Sequence, residues 1–187
     1  MSKRIAGFTL IELIVTLVLA AIVLTVAVPS FQDSIRNNRR ATQANDLISA
    51  LNLARSEAIT RAQLVTICRS SNQASCAAGA NWEDGWIVFV DSNTAAGDTT
   101  GVLDASEEPP LRVYRGLSGG NTLRVNTNFT NYFSYKADGQ SRGSNGSALG
   151  GKLSLCDDQG ATEARYVTIN STGRMQVRDY QAGDSCP

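Results

Sequence analysis

An apolar segment near the N-terminus constrains the fold of this chain more than any other feature. From Phe8 to Val28 every residue is apolar or a threonine, except Glu12. A helix of this length rises about 30 Å, which is the thickness of the hydrocarbon core of a bilayer. A charged side chain at membrane depth costs roughly 2.5–3.5 kcal/mol on insertion scales. Glu12 is therefore expected to have a partner or a specific role.

The distribution of charge predicts how the chain is oriented. Lys3 and Arg4 precede the apolar segment, and basic residues on a short flank favour the cytoplasmic side. Between residues 33 and 61, five Arg and three acidic residues give a net charge of +2. From Ala62 onward, ten basic and thirteen acidic residues give −3. A mildly acidic head is not a general attractor of nucleic acid, although it is compatible with a local basic patch.

The cysteines predict two disulfide bonds. All four lie after the apolar segment, at Cys68, Cys76, Cys156 and Cys186, on the side expected to be outside the cytoplasm. A zinc site is the alternative, but the chain has no His and no pair of Cys separated by two residues. Local closure favours the pairs 68–76 and 156–186, because these bridges do not cross the head.

The N-terminus has three interpretations. A secretory signal peptide has an apolar region of about 7–15 residues, which is shorter than this one. A plain signal anchor fits the length but gives Glu12 no role. The third interpretation uses every residue: a short basic leader, MSKRIAG, ends in Gly7, and Phe8 and Glu12 follow as the first and fifth residues of the mature chain.

The segment GFTLIE, residues 7–12, resembles the type III signal of type IV pilins and of type II secretion pseudopilins. The resemblance implies that a membrane-bound prepilin peptidase cleaves between Gly7 and Phe8 and methylates the new amino group of Phe8. In a medium of low dielectric constant Glu12 needs a cation, and the amine of Phe8 in a neighbouring subunit is a suitable one. Such a pair would set the axial register during assembly.

The segment after the membrane is predicted to continue as a helix to Arg61. Pro29 is expected to kink it near Thr25, but no glycine lies between residues 31 and 62. The stretch 35–40, IRNNRR, is polar all round and is interpreted as a solvated face, with contact to lipid headgroups or nucleic acid as the alternative. Beyond it, apolar residues repeat at the spacing of one buried helical face, at Ala44, Leu47, Ile48, Leu51, Ala54, Ala58 and Ile59.

Residues from 62 onward carry the pattern of β-strands. Segments rich in β-branched and aromatic residues alternate with clusters of Gly, Asn, Asp and Ser. Eight strands are predicted, at 63–68, 85–91, 111–115, 122–126, 131–136, 152–156, 165–170 and 173–178. Residues 171–173 are predicted to turn a hairpin, and 92–110 and 137–151 to be loops. The fold class is therefore α+β, with a long helix packed on an antiparallel sheet.

The whole pattern resembles the FimT/FimU family of type IV minor pilins and their GspH-like pseudopilin relatives. The segments that carry it are residues 28–61, VTIC, WEDGWIVFVD and STGRMQVR. The resemblance implies a pilin-like fold with a cleaved leader at 1–7, a transmembrane helix at 8–28, an amphipathic helix at 29–61 and a disulfide-bonded head at 62–187. It also implies a single-pass inner-membrane protein with a periplasmic head that later enters the pilus filament. The implied partners are the prepilin peptidase, other major and minor pilins, and the inner-membrane assembly platform.

No catalytic or metal site is predicted. The chain lacks His, and its Cys are expected to be bridged, so no nucleophile–base set is present and an enzyme is not expected. The acidic loop 91–108 fails as a calcium loop, because Ala95, Ala96 and Val102 occupy positions five, six and twelve. No cofactor is expected.

The C-terminal hairpin leaves the function open. In some members of the FimT/FimU family, basic residues in a Gly-Arg-x-Arg motif near the C-terminus bind DNA during natural transformation. Gly173 and Arg174 match this motif, but Gln176 replaces its second Arg. Arg178 lies two residues further on the same strand face, and Arg165 lies on the adjoining strand. Three hypotheses follow: a structural minor pilin that primes assembly or lies at the tip, a pilus-borne DNA receptor, and a minor pseudopilin of type II secretion.

Overall fold

The computed structural model describes residues 7–77, 79–92, 100–103, 108–144 and 150–186. These residues form one α-helix and nine β-strands, together with three short 3-10 turns at Trp82–Asp84, Thr127–Phe129 and Ala161–Glu163. The chain divides into two compact units, Met1–Arg39 and Arg40–Pro187. The helix α1, Leu10–Arg61, contributes to both units, which are described in turn.

The first unit consists of the apolar half of α1. The helix begins after Thr9, whose hydroxyl accepts a hydrogen bond from the Glu12 N–H at 3.3 Å, as at a typical helix N-terminus. It continues through Pro29 without interruption. Its most apolar 18-residue window is long enough to cross a membrane and has no buried residue. Among the described residues of this unit, the side chains of that window are therefore exposed.

The second unit begins with the other half of α1, which supplies one wall of the core. The predicted face is confirmed at Ala44, Leu47, Leu51, Ala54 and Ala58, all of which are buried. Ile59 was wrongly assigned to it, because its side chain is 51% exposed. The buried face also includes three residues that the periodicity did not single out, Arg40, Gln43 and Ala50.

The strands form two antiparallel sheets, whereas the sequence pattern predicted one. The five-stranded sheet has the order β3-β2-β1-β5-β6, with β1 at Leu64–Arg69, β2 at Gly85–Asp91, β3 at Arg112–Arg115, β5 at Tyr132–Tyr135 and β6 at Ser141–Gly143. The four-stranded sheet has the order β4-β7-β8-β9, with β4 at Thr122–Val125, β7 at Gly151–Cys156, β8 at Arg165–Ile169 and β9 at Met175–Arg178.

All eight predicted strands are present, with ends shifted by at most two residues. Strand β6 was missed and lies inside the predicted loop 137–151. Its three residues, SRG, carry no alternation of apolar and polar side chains and form a strand because they pair with β5. Tertiary pairing therefore overrides the local sequence at this position.

The core lies between the helix and the inner faces of both sheets. Trp86 and Val88 from β2 and Leu153 from β7 are buried in the same apolar cluster as Leu51 of the helix. A second, smaller cluster covers the outer face of the five-stranded sheet, where Cys68, Ile87 and Phe89 are buried. Because β2 is covered on both faces, every one of its residues is buried.

Candidate functional sites

The predicted processing site lies at the exposed start of the chain. Phe8 is 77% exposed, and among the described residues, chain neighbours apart, no heavy atom lies within 4 Å of the position that a Cβ on Gly7 would take. The carboxylate of Glu12 is also exposed and makes no ion pair with the residues that the structure describes. Cleavage, methylation and the assembly role remain predictions.

Two disulfide bonds tie down the head. Cys68 in β1 is bonded to Cys76 in the following loop, with 5.6 Å between the Cα atoms. Cys156 at the end of β7 is bonded to Cys186 in the C-terminal tail, with 5.9 Å between the Cα atoms. These are the two local pairings expected from the sequence. Within the described residues, no group of His, Cys, Asp or Glu could hold a metal ion.

The C-terminal tail is held against the four-stranded sheet by Asp184. Its side chain is 6% exposed and accepts hydrogen bonds from Arg178 at 2.5 and 2.9 Å and from Lys152 at 2.9 Å. Both cations also lie over the ring of Tyr166, at 5.1 and 5.6 Å from its centroid. The hydrogen bonds from Arg178, with the one from Lys152, hold the pKa of the Asp184 carboxyl well below its usual range. The tail therefore places one carboxylate beside two basic residues.

The three arginines predicted as DNA contacts do not form a free cationic patch. Arg178 is committed to Asp184, and its pKa is raised by that hydrogen bond. Arg165 is paired with the carboxylate of Asp179. Arg174 is exposed and makes no ion pair within the described part of the chain. Two of the three candidates are thus already paired with carboxylates, and the DNA contacts remain a prediction that rests chiefly on Arg174.

The glycine of the same motif has a structural role that the sequence did not reveal. Gly173 has a φ of 77° at the β8–β9 turn, and a Cβ there would lie 2.0 Å from the carbonyl oxygen of Gly139. Only glycine allows this approach, which brings the β8–β9 turn against the β5–β6 turn. Arg55 of the helix donates to the carbonyls of both turns, at 3.2 Å to Gly139 and 3.3 Å to Thr172.

Arg40 was also missed, and the interpretation of residues 35–40 as a solvated face is wrong at this residue. Its side chain is 4% exposed, and its Nε lies 3.2 Å from Oδ2 of Asp157, which is 3% exposed. The guanidinium also lies 3.6 Å from the carboxylate of Glu163 and donates to the carbonyl of that residue. Arg40 lies one helical turn before Ala44, so it extends the buried face of α1.

Asp91 occupies the first position of the acidic loop that fails as a calcium loop, and its carboxylate accepts hydrogen bonds from its own chain. It is buried and accepts from the hydroxyl of Thr66 at 2.7 Å and from the N–H of Gly101 at 2.8 Å. The hydroxyl of Thr66 in turn lies 2.6 Å from that of Ser134. Residues 93–99 and 104–107 of the loop lie outside the described part of the chain. Asp91 thus joins the end of β2 to β1 and to the loop.

Comparison with known families and structures decides what these features belong to. Residues 43–173, well over half of the chain, match the family described as type II transport protein GspH. The chain belongs to the GspH family. Residues 2–28 match the prokaryotic N-terminal methylation motif, which covers Gly7, Phe8 and Glu12. No curated protein matches the chain. The predicted kinship with GspH-like proteins is confirmed.

The fold of this GspH-family chain is similar to that of a minor pilin. Two crystal forms of the type IV minor pilin FimU from Pseudomonas aeruginosa PAO1 superpose with TM-scores of 0.58 and 0.56, at 20% and 19% identity. The matches cover 81% and 79% of this chain and 98% and 99% of FimU. The minor pseudopilin EpsH from the type 2 secretion system of Vibrio cholerae gives 0.46 at 11% identity, over 75% of this chain and 97% of that one, and is too distant to bear on the fold. The predicted pilin-like α+β fold is confirmed.

Proposed function

We propose that this GspH-family chain is a minor pilin of a type IV pilus, with a structural role in priming assembly or at the tip. The observation that carries the proposal is the exposed apolar half of α1, which directly follows a methylation motif and belongs to a chain with the fold of FimU. Before assembly this helix is anchored in the inner membrane, with the head in the periplasm. After assembly it lies among the helices of other pilins.

The exposed side chains of the first unit support this proposal. Leu10, Val18 and Leu24 are each more than half exposed, and so is Val26 at 72%. Each buried side chain of this kind is worth roughly 1.5–3 kcal/mol relative to water, so the segment must be covered by lipid or by protein. A filament provides that cover and, in the amine of Phe8 of a neighbouring subunit, a cation for Glu12.

The contacts of the head support a structural role as well. Arg40, Arg55 and Asp91 are among the polar side chains that join different elements, and each is engaged with its own chain. Two disulfides fix the ends of β1 and β7 to the loop and the tail. A head braced in this way is suited to extracellular stability, since secreted domains use disulfides for the same purpose. The partners that we propose are the prepilin peptidase, the assembly platform and other pilins.

A second candidate is a minor pseudopilin of a type II secretion system. The observation that favours it is the family match itself, because the family is described as a type II transport protein. Both candidates use the same processing and the same anchored helix. They differ in which assembly fails when the protein is absent: the type IV pilus for a minor pilin, or type II secretion for a pseudopilin.

The experiment is a chromosomal deletion with three complementing alleles: the wild type, Gly7→Arg and Ser2→Arg. Both substitutions add one positive charge to the leader, but only Gly7→Arg alters the residue before the cut. We expect loss of surface pili with Gly7→Arg and an uncleaved precursor in the membrane, while Ser2→Arg behaves as the wild type. Normal piliation of the deletion strain together with retention of secreted proteins would replace the pilin proposal by the pseudopilin.

A further inference from the structure

Strand β3 is an open edge of the five-stranded sheet. It pairs with β2 on one side, and no described strand pairs with it on the other. Three of its four residues, Arg112, Val113 and Arg115, are exposed. An edge of this kind presents unpaired backbone N–H and C=O groups to any extended segment that approaches it.

The edge is held in place before any partner arrives. The ring of Tyr114 stacks on Trp86 with 5.4 Å between centroids, and its hydroxyl lies 3.5 Å from that of Ser49 on the helix. Just after the strand, the N–H of Leu117 donates to the carbonyl of Glu83 at 2.8 Å. A preformed edge loses little conformational entropy on binding, which favours association.

The charge of the edge points to the chemistry of the partner. Neither Arg112 nor Arg115 has a carboxylate partner among the described residues, and Arg112 only lies over the ring of Tyr114 at 5.9 Å. Most other basic residues of the second unit are paired with carboxylates, as at Arg40, Arg61, Arg124, Lys136, Lys152, Arg165 and Arg178. In a head with a net charge of −3 from Ala62 onward, β3 is thus a local cationic feature that lacks its counter-charge.

The strand register determines how this charge is displayed. Arg112 lies opposite Val88, whose side chain is in the main core, and Val113 lies opposite Ile87, whose side chain is in the outer cluster. Because side chains alternate along a strand, Arg112 and Arg115 project on opposite faces of the sheet. A strand added to this edge would meet one cation on each face and an apolar residue between them.

We propose that β3 accepts an extended acidic segment of a neighbouring pilin-type subunit, which adds to the sheet as a sixth strand. The segment carries acidic residues three positions apart, opposite Arg112 and Arg115, and an apolar residue opposite Val113. Backbone hydrogen bonds hold it, and the side-chain pairs select it. The inference rests on the proposed function only in that a filament subunit supplies the strand.

The test is photo-crosslinking in cells that produce the full chain with a photoreactive amino acid in place of Val113. A matched variant carries it in place of Val177, an exposed residue of the edge strand β9. We expect a crosslink from position 113 to another pilin-type subunit, mapped by mass spectrometry to an acidic extended segment, and at least fivefold less from position 177. The pair Arg112→Glu and Arg115→Glu should reduce the crosslink at least fivefold, whereas Arg174→Glu should not.

Crosslinks are read in the membrane fraction as well as in sheared filaments, so the result does not depend on filament entry. Absence of the protein from filaments contradicts the proposed function, and the membrane fraction still tests the edge. No crosslink from position 113 in either fraction would show that the arginines only guard the edge against pairing. Equal crosslinking from position 177, or insensitivity to the charge reversal, would equally overturn the proposal. Resistance of each variant to trypsin, compared with the wild type, establishes that the head is folded.

Discussion

The buried ion pair between Arg40 and Asp157 is expected to be essential for the stability of the head. In Arg40→Met, Oδ1 of Asp157 keeps its hydrogen bond from the N–H of Gln159, but Oδ2 loses the cation at 3.2 Å. The carboxylate is only 3% exposed, so water cannot replace the guanidinium fully. Glu163 matters less, because its side chain is 56% exposed and lies 3.6 Å away.

The magnitude follows from the cost of leaving a buried charge without its partner, which is roughly 3–5 kcal/mol. In a domain of this size 1 kcal/mol changes Tm by about 2–4 °C, so Tm should fall by about 6–20 °C. The double variant Arg40→Met with Asp157→Leu removes both charges and should recover most of the loss, since apolar pairs often replace buried ion pairs without cost. Arg39→Met, at the preceding position of the same helix, should change stability by about 0.5 kcal/mol or less.

The assay is thermal and urea unfolding of the oxidised, detergent-solubilised protein, followed by circular dichroism. The reasoning is refuted if Arg40→Met lies within about 1 kcal/mol of the wild type, the lower end of ordinary core effects. It is equally refuted if the double variant is no more stable than the single one, because the loss would then come from packing rather than from an uncompensated charge.

Three further predictions address other parts of the chain. The pKa of Asp184 is lowered in the folded state, so the stability that its carboxylate contributes is complete above the unfolded pKa of about 3.9 and is lost as the pH falls through the folded pKa. Acid should therefore expose the C-terminal tail to proteolysis before the head unfolds. The variant Asp184→Asn should expose the tail at neutral pH. Gly173→Ala should destabilise the head by more than about 1 kcal/mol, because the new Cβ would lie 2.0 Å from the carbonyl oxygen of Gly139. Gly160 has a similar φ, but no described atom lies within 4 Å of the position of its Cβ. Gly160→Ala should therefore cost less stability in the same melting experiment. Glu12→Ala should spare cleavage and membrane insertion but reduce the amount of protein in sheared filaments, whereas Thr16→Ala should not; equal recovery of both variants would remove the assembly role of Glu12.

Much of the fold could be predicted because it depends on local patterns. The apolar segment, the face of α1 and the eight strands all follow from the spacing of apolar residues. The disulfide pairs follow from the rule that bridges close locally and do not cross the head. The features of the fold that the sequence did not predict depend on residues far apart in the chain. Strand β6 forms only because β5 is beside it, and the division into two sheets is a matter of pairing that spacing does not encode.

The same limit applies to the candidate sites. The motif at residues 7–12 is contiguous, so the sequence alone places it. The basic residues at 165, 174 and 178 also appear in the sequence, but their partners Asp179 and Asp184 lie in a tail whose path the sequence does not reveal. Arg40 gave a weak signal, one turn before the apolar face, and its acidic partner lies 117 residues further along the chain.

The most direct test of the whole account is the intact mass of this protein recovered from sheared pili. The account predicts a chain that begins at N-methylated Phe8, so that the seven residues of the leader are absent from the measured mass. The mass should also be lower by four hydrogens for the two disulfides. A chain that begins near Ser30, or a full-length precursor found only in the membrane, would contradict it.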